Sequence, residues 1–583
     1  MKRILFLGFI IIAFGSCDFS KYQLQDDYDF TTRFEISNGA ETDTYPKVIQ
    51  FYRDLAKVYP SVQLKTFDTT DSGEPLHLAI FNPDAQFDIA KIKENKSILL
   101  ILNGIHPGES DGIDATMMMF RDMAQDSVKI PENVVIATIP VYNIGGALNR
   151  NSFSRTNQNG PQVYGFRGNA RNYDLNRDFA KADTKNARAF YKIYHYLDPE
   201  VFIDNHVSNG ADYQYVLTHL FTQHNRLGGD IGKYLDETMM PALEDSLKSK
   251  KLEITPYVNV FNEVPENGFS QFADYPRYST GYTTLWNTLG MMVETHMLKP
   301  YDKRVWGTYE LMRSMVAITD NQSEKIKELR AAEKKKYLTK RWYPIHYKPD
   351  MDDPSIREFK GYEGEMIPSE LTGGERLKYD RNKPFTKDIE YFNNFVAEDR
   401  IDIPRAYVIP QGWWNVIDLL KLNNIKMEAF EKDTTLYVQQ YKIENYETGN
   451  TAYEGHYMHS KTEVSASMDS IRFRKGDYYV STFQDGVRYL IEMLEPAAED
   501  SFFNWNYFDT VLQQKEHFSP YVFEDIAKDL LAKNSELKAS FEEKKTKDPD
   551  FAKSWYAQLD WIHKHSKYYE SAHLRYPIFR LPR

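Results

Sequence analysis

The stretch SILLILNGIHPGES, residues 97–110, decides how this chain folds and where its chemistry lies. Residues 97–102 form an apolar run of the length of a buried strand, and the Asn-Gly pair that follows marks its end. A helical pattern begins at about residue 114 and extends to residue 123. We therefore expect His106 and Glu109 in a turn just past the carboxyl end of a strand.

Three further apolar runs, which alternate with helical patterns, are predicted to be strands. They are residues 134–140, residues 201–204, which lead into His206, and residues 291–293, which lead into Glu294. The helical patterns lie at 187–196 and 231–247. This alternation predicts an α/β fold in which a mixed, mostly parallel sheet is flanked by helices. Because ligands bind outside the carboxyl ends of such strands, these residues are expected to share one site.

Two imidazoles and one carboxylate are the protein ligands typical of a catalytic zinc ion, which keeps a fourth position for water. His106, Glu109 and His206 supply that set, and Glu294 is left as a spare carboxylate for a base. Each residue alone has an ordinary alternative, such as a surface turn for the HxxE spacing or a hydrogen-bonded structural role for His206. Their joint occurrence at predicted strand ends favours a site for one Zn²⁺.

An Asn-Arg pair in NYDLNRDF, residues 172–179, lies between the two histidines in the sequence. Taken with HPGE before it and with His206 and Glu294 after it, this order resembles the zinc metallocarboxypeptidases of the carboxypeptidase A-like family. The resemblance covers about residues 45–319, which we take as the catalytic domain. It implies that zinc activates a water molecule for attack on a peptide bond, with Glu294 as general base.

The resemblance also implies the other roles in the site. Asn176 and Arg177 bind the terminal carboxylate of a peptide substrate, Asp174 orients His106, Arg167 polarises the scissile carbonyl, and Tyr282 is the mobile catalytic tyrosine. Arg155 and Arg171 are the alternatives to Arg167, because they belong to the same loop. Tyr275 and Tyr278 are the alternatives to Tyr282.

Two departures from the family pattern bear on the substrate. Gly108 stands where an Arg is frequent, and Asn172 stands where a Gly is usual. The first removes a contact to the substrate and leaves the C-terminal chemistry intact. Two alternatives therefore stay open: an endopeptidase or amidase acting on peptidoglycan stem peptides, and a non-enzymatic lipoprotein that binds peptides or glycans.

The start of the chain has the pattern of a secretion signal, with a basic Met-Lys-Arg, an apolar run over residues 4–14, and Gly-Ser before Cys17. Cys17 is the only cysteine, so a disulfide is excluded. The pattern resembles a bacterial lipoprotein signal: 1–16 would be removed, Cys17 lipidated, and 17–44 would act as a tether. The alternative is an ordinary signal peptide with an incidental cysteine. We expect a protein of the cell envelope that is lipid-anchored to a membrane and faces the periplasm or the cell surface.

The net charge of −12 counts against nucleic acid and anionic membrane surfaces as partners. The expected partners are a peptide substrate and, through the lipid anchor only, a membrane.

The second half of the chain is predicted to hold a connecting segment, 320–400, and an α+β accessory region, 401–583. In the connecting segment, residues 321–338 favour a solvated helix and residues 351–387 a long loop. Short strands are predicted at 406–409, 425–430, 436–441, 471–474 and 478–482, the last two joined as a hairpin by Lys-Gly-Asp. Aromatic-rich helical stretches at 502–512, 520–533 and 551–568 are expected to pack against the sheet region.

Overall fold

A computed structural model describes residues 28–583, and its largest element is an eight-stranded sheet in the order β1-β2-β4-β3-β5-β9-β6-β7. The middle strands β4, β3, β5 and β9 are parallel, and antiparallel pairings occur towards both edges. The predicted fold class is thus confirmed. The strands are β1 (Val62–Thr69), β2 (Pro75–Phe81), β3 (Ser97–Leu102), β4 (Val134–Ile139), β5 (Val201–Ser208), β6 (Leu217–Phe221), β7 (Thr255–Pro256) and β9 (Leu289–His296); β8 (Phe269–Ser270) belongs to another sheet.

Twelve helices of the described chain accompany this sheet, and α4 and α11 pack against each other over it. They are α1 (Arg33–Ile36), α2 (Tyr45–Val58), α3 (Ile89–Asn95), α4 (Asp111–Ala124), α5 (Ile144–Leu148), α6 (Lys185–Leu197), α7 (His224–Leu227), α8 (Gly229–Tyr234), α9 (Met240–Ser249), α10 (Ser279–Thr284), α11 (Tyr301–Asn321) and α12 (Ser323–Thr339). The helix predicted at 231–247 is divided by a π turn, Leu235–Met239. Pro241 follows that turn, and a proline cannot donate the backbone hydrogen bond of a regular helix.

Residues 28–44 are packed against the sheet domain, which differs from the predicted tether over 17–44. Phe30 and Phe34 are buried in the main core. Arg121 fixes this segment by donating to the Glu35 carboxylate at 2.6 Å and to the Phe30 carbonyl at 3.3 Å. The predicted signal peptide, Cys17 and the first part of the tether lie outside the described residues.

The accessory region and the segment before it contain three more sheets. β10 (Trp342–Pro349) pairs with β13 (Phe395–Asp402), and β11 (Ser355–Pro368), β12 (Glu375–Phe392) and β8 form a second sheet. The third has the order β15 (Glu428–Ala429), β18 (Tyr478–Ser481), β14 (Ala406–Ile409), β19 (Phe579–Leu581), β16 (Thr434–Thr448) and β17 (His459–Phe473).

Two sequence predictions for this part of the chain are wrong. The loop predicted at 351–387 is the long antiparallel ribbon of β11 and β12. Most of its side chains are exposed, so the ribbon lacks the apolar run that would have revealed it. The hairpin predicted around residues 475–477 does not form, because β17 pairs with β16 while β18 pairs with β14 and β15.

The aromatic-rich tail divides into two parts. Residues 502–508 form turns rather than a helix, and Phe502, Phe503 and Phe508 belong to the main core. The last four helices instead share an apolar cluster of their own, and Trp555 is 63% exposed, so the expectation that they pack on the sheet is wrong. The remaining helices are α13 (Trp414–Leu422), α14 (Val487–Leu494), α15 (Pro520–Lys533), α16 (Ser535–Lys547), α17 (Pro549–Lys553) and α18 (Trp555–Lys564).

One hydrophobic core joins the sheet domain to the accessory region. It contains side chains from α13, α14 and residues 502–508 beside those of the eight-stranded sheet. A polar link lies within it: the Tyr282 hydroxyl donates to Asn423 Oδ1 at 2.6 Å, and the Asn423 amide donates to the Tyr489 hydroxyl at 3.0 Å. Among residues 28–583, no helix combines the length and the apolar character that a membrane crossing requires.

Candidate active site

His106, Glu109 and His206 form a buried group whose ligand atoms all lie within 4.8 Å of one another. The first two lie in the turn between β3 and α4, and His206 lies on β5, which pairs directly with β3. His106 Nδ1 is 3.2 Å from Glu109 Oε1, and His206 Nδ1 is 3.0 Å from Glu109 Oε2. The three side chains that the sequence predicts as ligands are therefore brought together.

The outer nitrogens of both imidazoles face carboxylates. His106 Nε2 is 2.9 Å from Asp174 Oδ1, and His206 Nε2 is 2.9 Å from Asp204 Oδ2. An ionised carboxylate can only accept, so the first contact favours the proton on His106 Nε2 and leaves its Nδ1 lone pair turned towards Glu109. The second contact lacks hydrogen-bond geometry, and the hydrogen bond of the His206 ring in this structure joins its Nδ1 to Glu109 Oε2. His106 Nδ1 is buried without a hydrogen-bond partner.

The electrostatics of this group favour a positive charge at its centre. Burial opposes protonation of His206, yet the Asp204 and Glu109 carboxylates raise its pKa well above the usual value. Burial also opposes ionisation of Glu109, but Arg155 and His106 hold its pKa well below the usual range. Two nitrogen donors and one carboxylate are thus arranged to hold a metal ion, and this donor set fits zinc.

Glu294 lies beside the metal-binding group. It is on β9, directly opposite His206 on the neighbouring parallel strand β5, and both side chains line the same cavity of about 320 Å³. Burial raises the pKa of Glu294 to about 8. A carboxyl group in such an environment can exchange a proton near neutral pH, as a general base or acid must.

Asn176 and Arg177 line the same cavity. They lie on a short 3-10 turn, Leu175–Arg177, which begins where the Asp174 carboxylate accepts from the Asn176 amide at 2.9 Å. Asn176 Oδ1 accepts from the Ser279 amide at 3.2 Å, and the Arg177 guanidinium lies 4.6 Å from the centre of the Tyr278 ring. The turn therefore presents a guanidinium and a neutral amide to the cavity.

The three arginines of the loop before this turn have different positions. Arg167 lines the cavity and holds Asp174 Oδ2 through Nε at 3.0 Å and Nη2 at 2.8 Å. Arg155 also lines the cavity and donates to Glu109 Oε1 at 2.7 Å. Arg171 points elsewhere: it donates to the Asp183 carbonyl at 3.1 Å and stacks on Tyr173.

Tyr282 is not part of the cavity, and the prediction that it is the catalytic tyrosine is corrected. Its ring is 0% exposed, stacks on Tyr191, and has its hydroxyl bonded to Asn423. The helical spacing of α10 turns this side chain into the core. Tyr278, one turn earlier and just before α10, lines the cavity, as does Tyr257.

The turn after β3 depends on glycine at two positions. Gly104 has φ +67°, a conformation that favours glycine. At Gly108 a Cβ would lie 2.5 Å from Arg155 Cδ, so only glycine lets Arg155 cross to Glu109. A guanidinium thus reaches the site from the loop that carries Arg155. Asn143 joins both loops by donating to the carbonyls of Ile105 at 3.1 Å and Arg167 at 2.8 Å.

Asp204 is a functional candidate that the sequence reasoning missed. Its position two residues before His206 on a strand was the available signal, because side chains at i and i+2 lie on the same face. The Ser279 hydroxyl also donates to its carboxylate, so Asp204 links β5 to the start of α10.

Neither the protein-family models nor the curated proteins gave a match to this sequence. Similar solved structures include the metallo-carboxypeptidase of Burkholderia cenocepacia, 14% identical at a TM-score of 0.36, with 48% of this chain and 69% of that chain covered. The carboxypeptidase A of Helicoverpa armigera is 13% identical at a TM-score of 0.37, with 48% of this chain and 74% of that chain covered. Bovine thrombin-activatable fibrinolysis inhibitor is 12% identical at a TM-score of 0.34, with 50% of this chain and 99% of that chain covered. Metallocarboxypeptidases are thus among the solved structures that are similar to this chain.

Proposed function

We propose that this protein is a zinc metallocarboxypeptidase that cleaves the C-terminal peptide bond of its substrates. One observation carries the proposal: a single cavity holds the His106, Glu109 and His206 group, the half-buried Glu294 carboxyl and the Arg177 guanidinium. These are the parts that hydrolysis at a free C-terminus requires.

Each residue has a defined task in the proposed reaction. Zinc held by His106, Glu109 and His206 would supply Lewis-acid chemistry for a water molecule and the peptide carbonyl. Glu294, whose pKa is raised to about 8 by burial, takes a proton from the attacking water and returns it to the leaving amine.

Three polar side chains orient the substrate in the proposed reaction. Arg177 suits a carboxylate because its planar guanidinium can bind both oxygens at once, and Asn176 adds a neutral donor beside it. Arg167, which lines the same cavity, donates to the oxygen that becomes negative during attack. The substrate is therefore a peptide with a free terminal carboxylate.

The test compares pairs of peptides that differ only in a free or amidated C-terminus. The parent protein should cleave the free acids with a much higher kcat/KM, and a chelator should abolish cleavage. Arg177→Ala should cost the free acids about 2–5 kcal/mol, because a bound carboxylate loses its partner, and should change the amides little.

Arg171→Ala is the matched control, since Arg171 belongs to the same loop and points away from the cavity. It should leave kcat/KM unchanged for both kinds of peptide. Equal cleavage of acids and amides would contradict the exopeptidase proposal and favour an endopeptidase on the same site. Hydrolysis that survives complete metal removal would contradict the proposal altogether.

We further infer that Cys17 carries a lipid that attaches the protein to a membrane of the bacterial cell envelope. The support is the sequence pattern of residues 1–17 and the packed domain that starts by Phe30. Several acyl chains on one terminus anchor a protein stably, whereas one chain binds weakly. Cys17→Ser should move the protein from the membrane to the soluble fraction with its hydrolytic activity intact. Unchanged detergent partitioning would contradict lipidation.

A further inference from the structure

The accessory region sends one loop to the back of the candidate active site. This loop, residues 449–458, joins β16 to β17 and is called the bridging loop here. Glu454 on the bridging loop accepts from the Asp174 amide through Oε2 at 2.8 Å. Asp174 is the residue that faces His106 and begins the turn carrying Asn176 and Arg177. One side chain of the accessory region thus contacts the residue on which both parts of the site depend.

The bridging loop is firmly seated on the sheet domain. His456 Nε2 is 2.7 Å from Asp183 Oδ2, and the same Asp183 oxygen accepts from the fully buried Lys181 ammonium at 2.7 Å. On its other side, the Tyr453 ring stacks on Trp505 of the accessory region itself, with 6.0 Å between ring centres. These contacts leave little freedom for the loop to move away from Asp174.

The backbone of the bridging loop is specialised at the point of contact. Glu454 has φ +48°, a left-handed conformation that costs about 1 kcal/mol or more for a residue with a Cβ. The next residue, Gly455, has φ +82°, and a Cβ there would lie 2.7 Å from the Tyr173 hydroxyl. Two left-handed residues in succession bring the loop against Tyr173 and turn Glu454 to the Asp174 amide.

We propose that the accessory region is a working part of the active site, in which Glu454 is a positioning residue for the turn from Asp174 to Arg177. By holding the Asp174 amide, Glu454 fixes the Asp174 carboxylate against His106. It also fixes the start of the turn that presents Asn176 and Arg177 to the cavity. The accessory region therefore tunes metal affinity and the binding of the substrate carboxylate together. The inference about binding of the substrate carboxylate rests on the proposed function, whereas the inference about metal affinity does not.

The experiment uses the full chain with Glu454→Ala, Glu454→Gln and Glu463→Ala. Gln keeps an oxygen that can accept from the Asp174 amide, whereas Ala removes the contact. Glu463 is the matched control, because it is an exposed carboxylate on the adjoining strand β17. The first readout is zinc affinity, measured by competition with a chromophoric chelator. The second is kcat/KM for free-acid and amidated peptides.

Glu454→Ala should weaken zinc binding about 10-fold, the lower end of the loss seen when the partner of a ligand histidine is disturbed. It should also raise KM for free acids more than for amides. Glu454→Gln should restore most of both losses, and Glu463→Ala should match the parent. If Glu454→Ala fails to fold, Glu454→Asp, which keeps the charge but shortens the reach, should show the same weakened zinc binding.

Zinc affinity equal to the parent in Glu454→Ala, or in Glu454→Asp if that variant is needed, would overturn the inference. So would a lowered melting temperature with no change in zinc affinity, because that is the signature of a purely structural contact. If no peptide is cleaved by any variant, the proposed function fails, while the zinc measurement still decides whether Glu454 positions Asp174.

Discussion

Replacing Glu294 with glutamine should remove turnover and, in the metal-free protein, increase stability at alkaline pH. Burial raises the pKa of Glu294 from the usual 4.5 to about 8, so the folded protein binds this proton more tightly than the unfolded chain does. The resulting stabilisation is fully present below pH 4.5 and is lost as the pH rises through about 8. The difference between the two pKa values corresponds to about 5 kcal/mol.

Glutamine keeps the shape of the protonated side chain and cannot ionise. Glu294→Gln should therefore be as stable as the parent near pH 5 and more stable by up to about 5 kcal/mol near pH 9. The assay is urea unfolding of both proteins in a strong chelator at several pH values, with the exposed Glu463→Gln as control. Saturating zinc should reduce the difference, because a neighbouring cation favours the ionised carboxylate.

Parallel pH dependences for the parent and Glu294→Gln would refute the assignment of a raised pKa to this carboxyl. The same variant tests the chemistry separately. Its zinc affinity should stay close to that of the parent, while hydrolysis falls by at least about 10²–10⁴-fold, the usual loss for a general base.

Three further outcomes are expected. Asp204→Asn should weaken zinc binding about 10- to 100-fold in a chelator competition, because His206 loses the carboxylate at its outer nitrogen; unchanged affinity would contradict this role. Tyr282→Phe should cost about 0.5–1.5 kcal/mol of stability, by removing the hydrogen bond from its hydroxyl to Asn423 Oδ1, and should keep kcat/KM. Tyr278→Phe should instead lower kcat/KM and leave stability unchanged; the opposite pattern would restore the original assignment. Residues 18–319 alone should be poorly soluble or less stable than 18–583 in thermal melts, because the main core is shared; equal stability would show two independent domains.

The apolar runs of the sequence were sufficient to locate the middle of the sheet. Residues 97–102 and 134–140 are predicted as strands and correspond to β3 and β4 within one residue, because strands buried on both faces need continuous apolar side chains. The exposed ribbon of β11 and β12 has no such requirement, so its sequence gave no signal.

The order of polar residues was informative for a related reason. Parallel strands end at the same edge of a sheet, so residues that follow such strands come together whatever the rest of the chain does. This placed the His106 turn, His206 and Glu294 in one site. The order of residues could not decide between Tyr278 and Tyr282. These two tyrosines are one helical turn apart, yet Tyr278 lines the cavity and Tyr282 lies in the core.

The sequence by itself therefore predicted the fold class and which residues come together at the candidate site, since these depend on local periodicity and on the geometry common to all parallel sheets. Only the tertiary structure showed that the Asp204 carboxylate faces the outer nitrogen of His206. It also showed that Arg155 passes Gly108 to reach Glu109, and that Glu454 reaches the Asp174 amide. The last two contacts join residues far apart in the chain, up to 280 positions for Glu454 and Asp174. Local pattern carries no record of them, because they follow from how the packed elements meet.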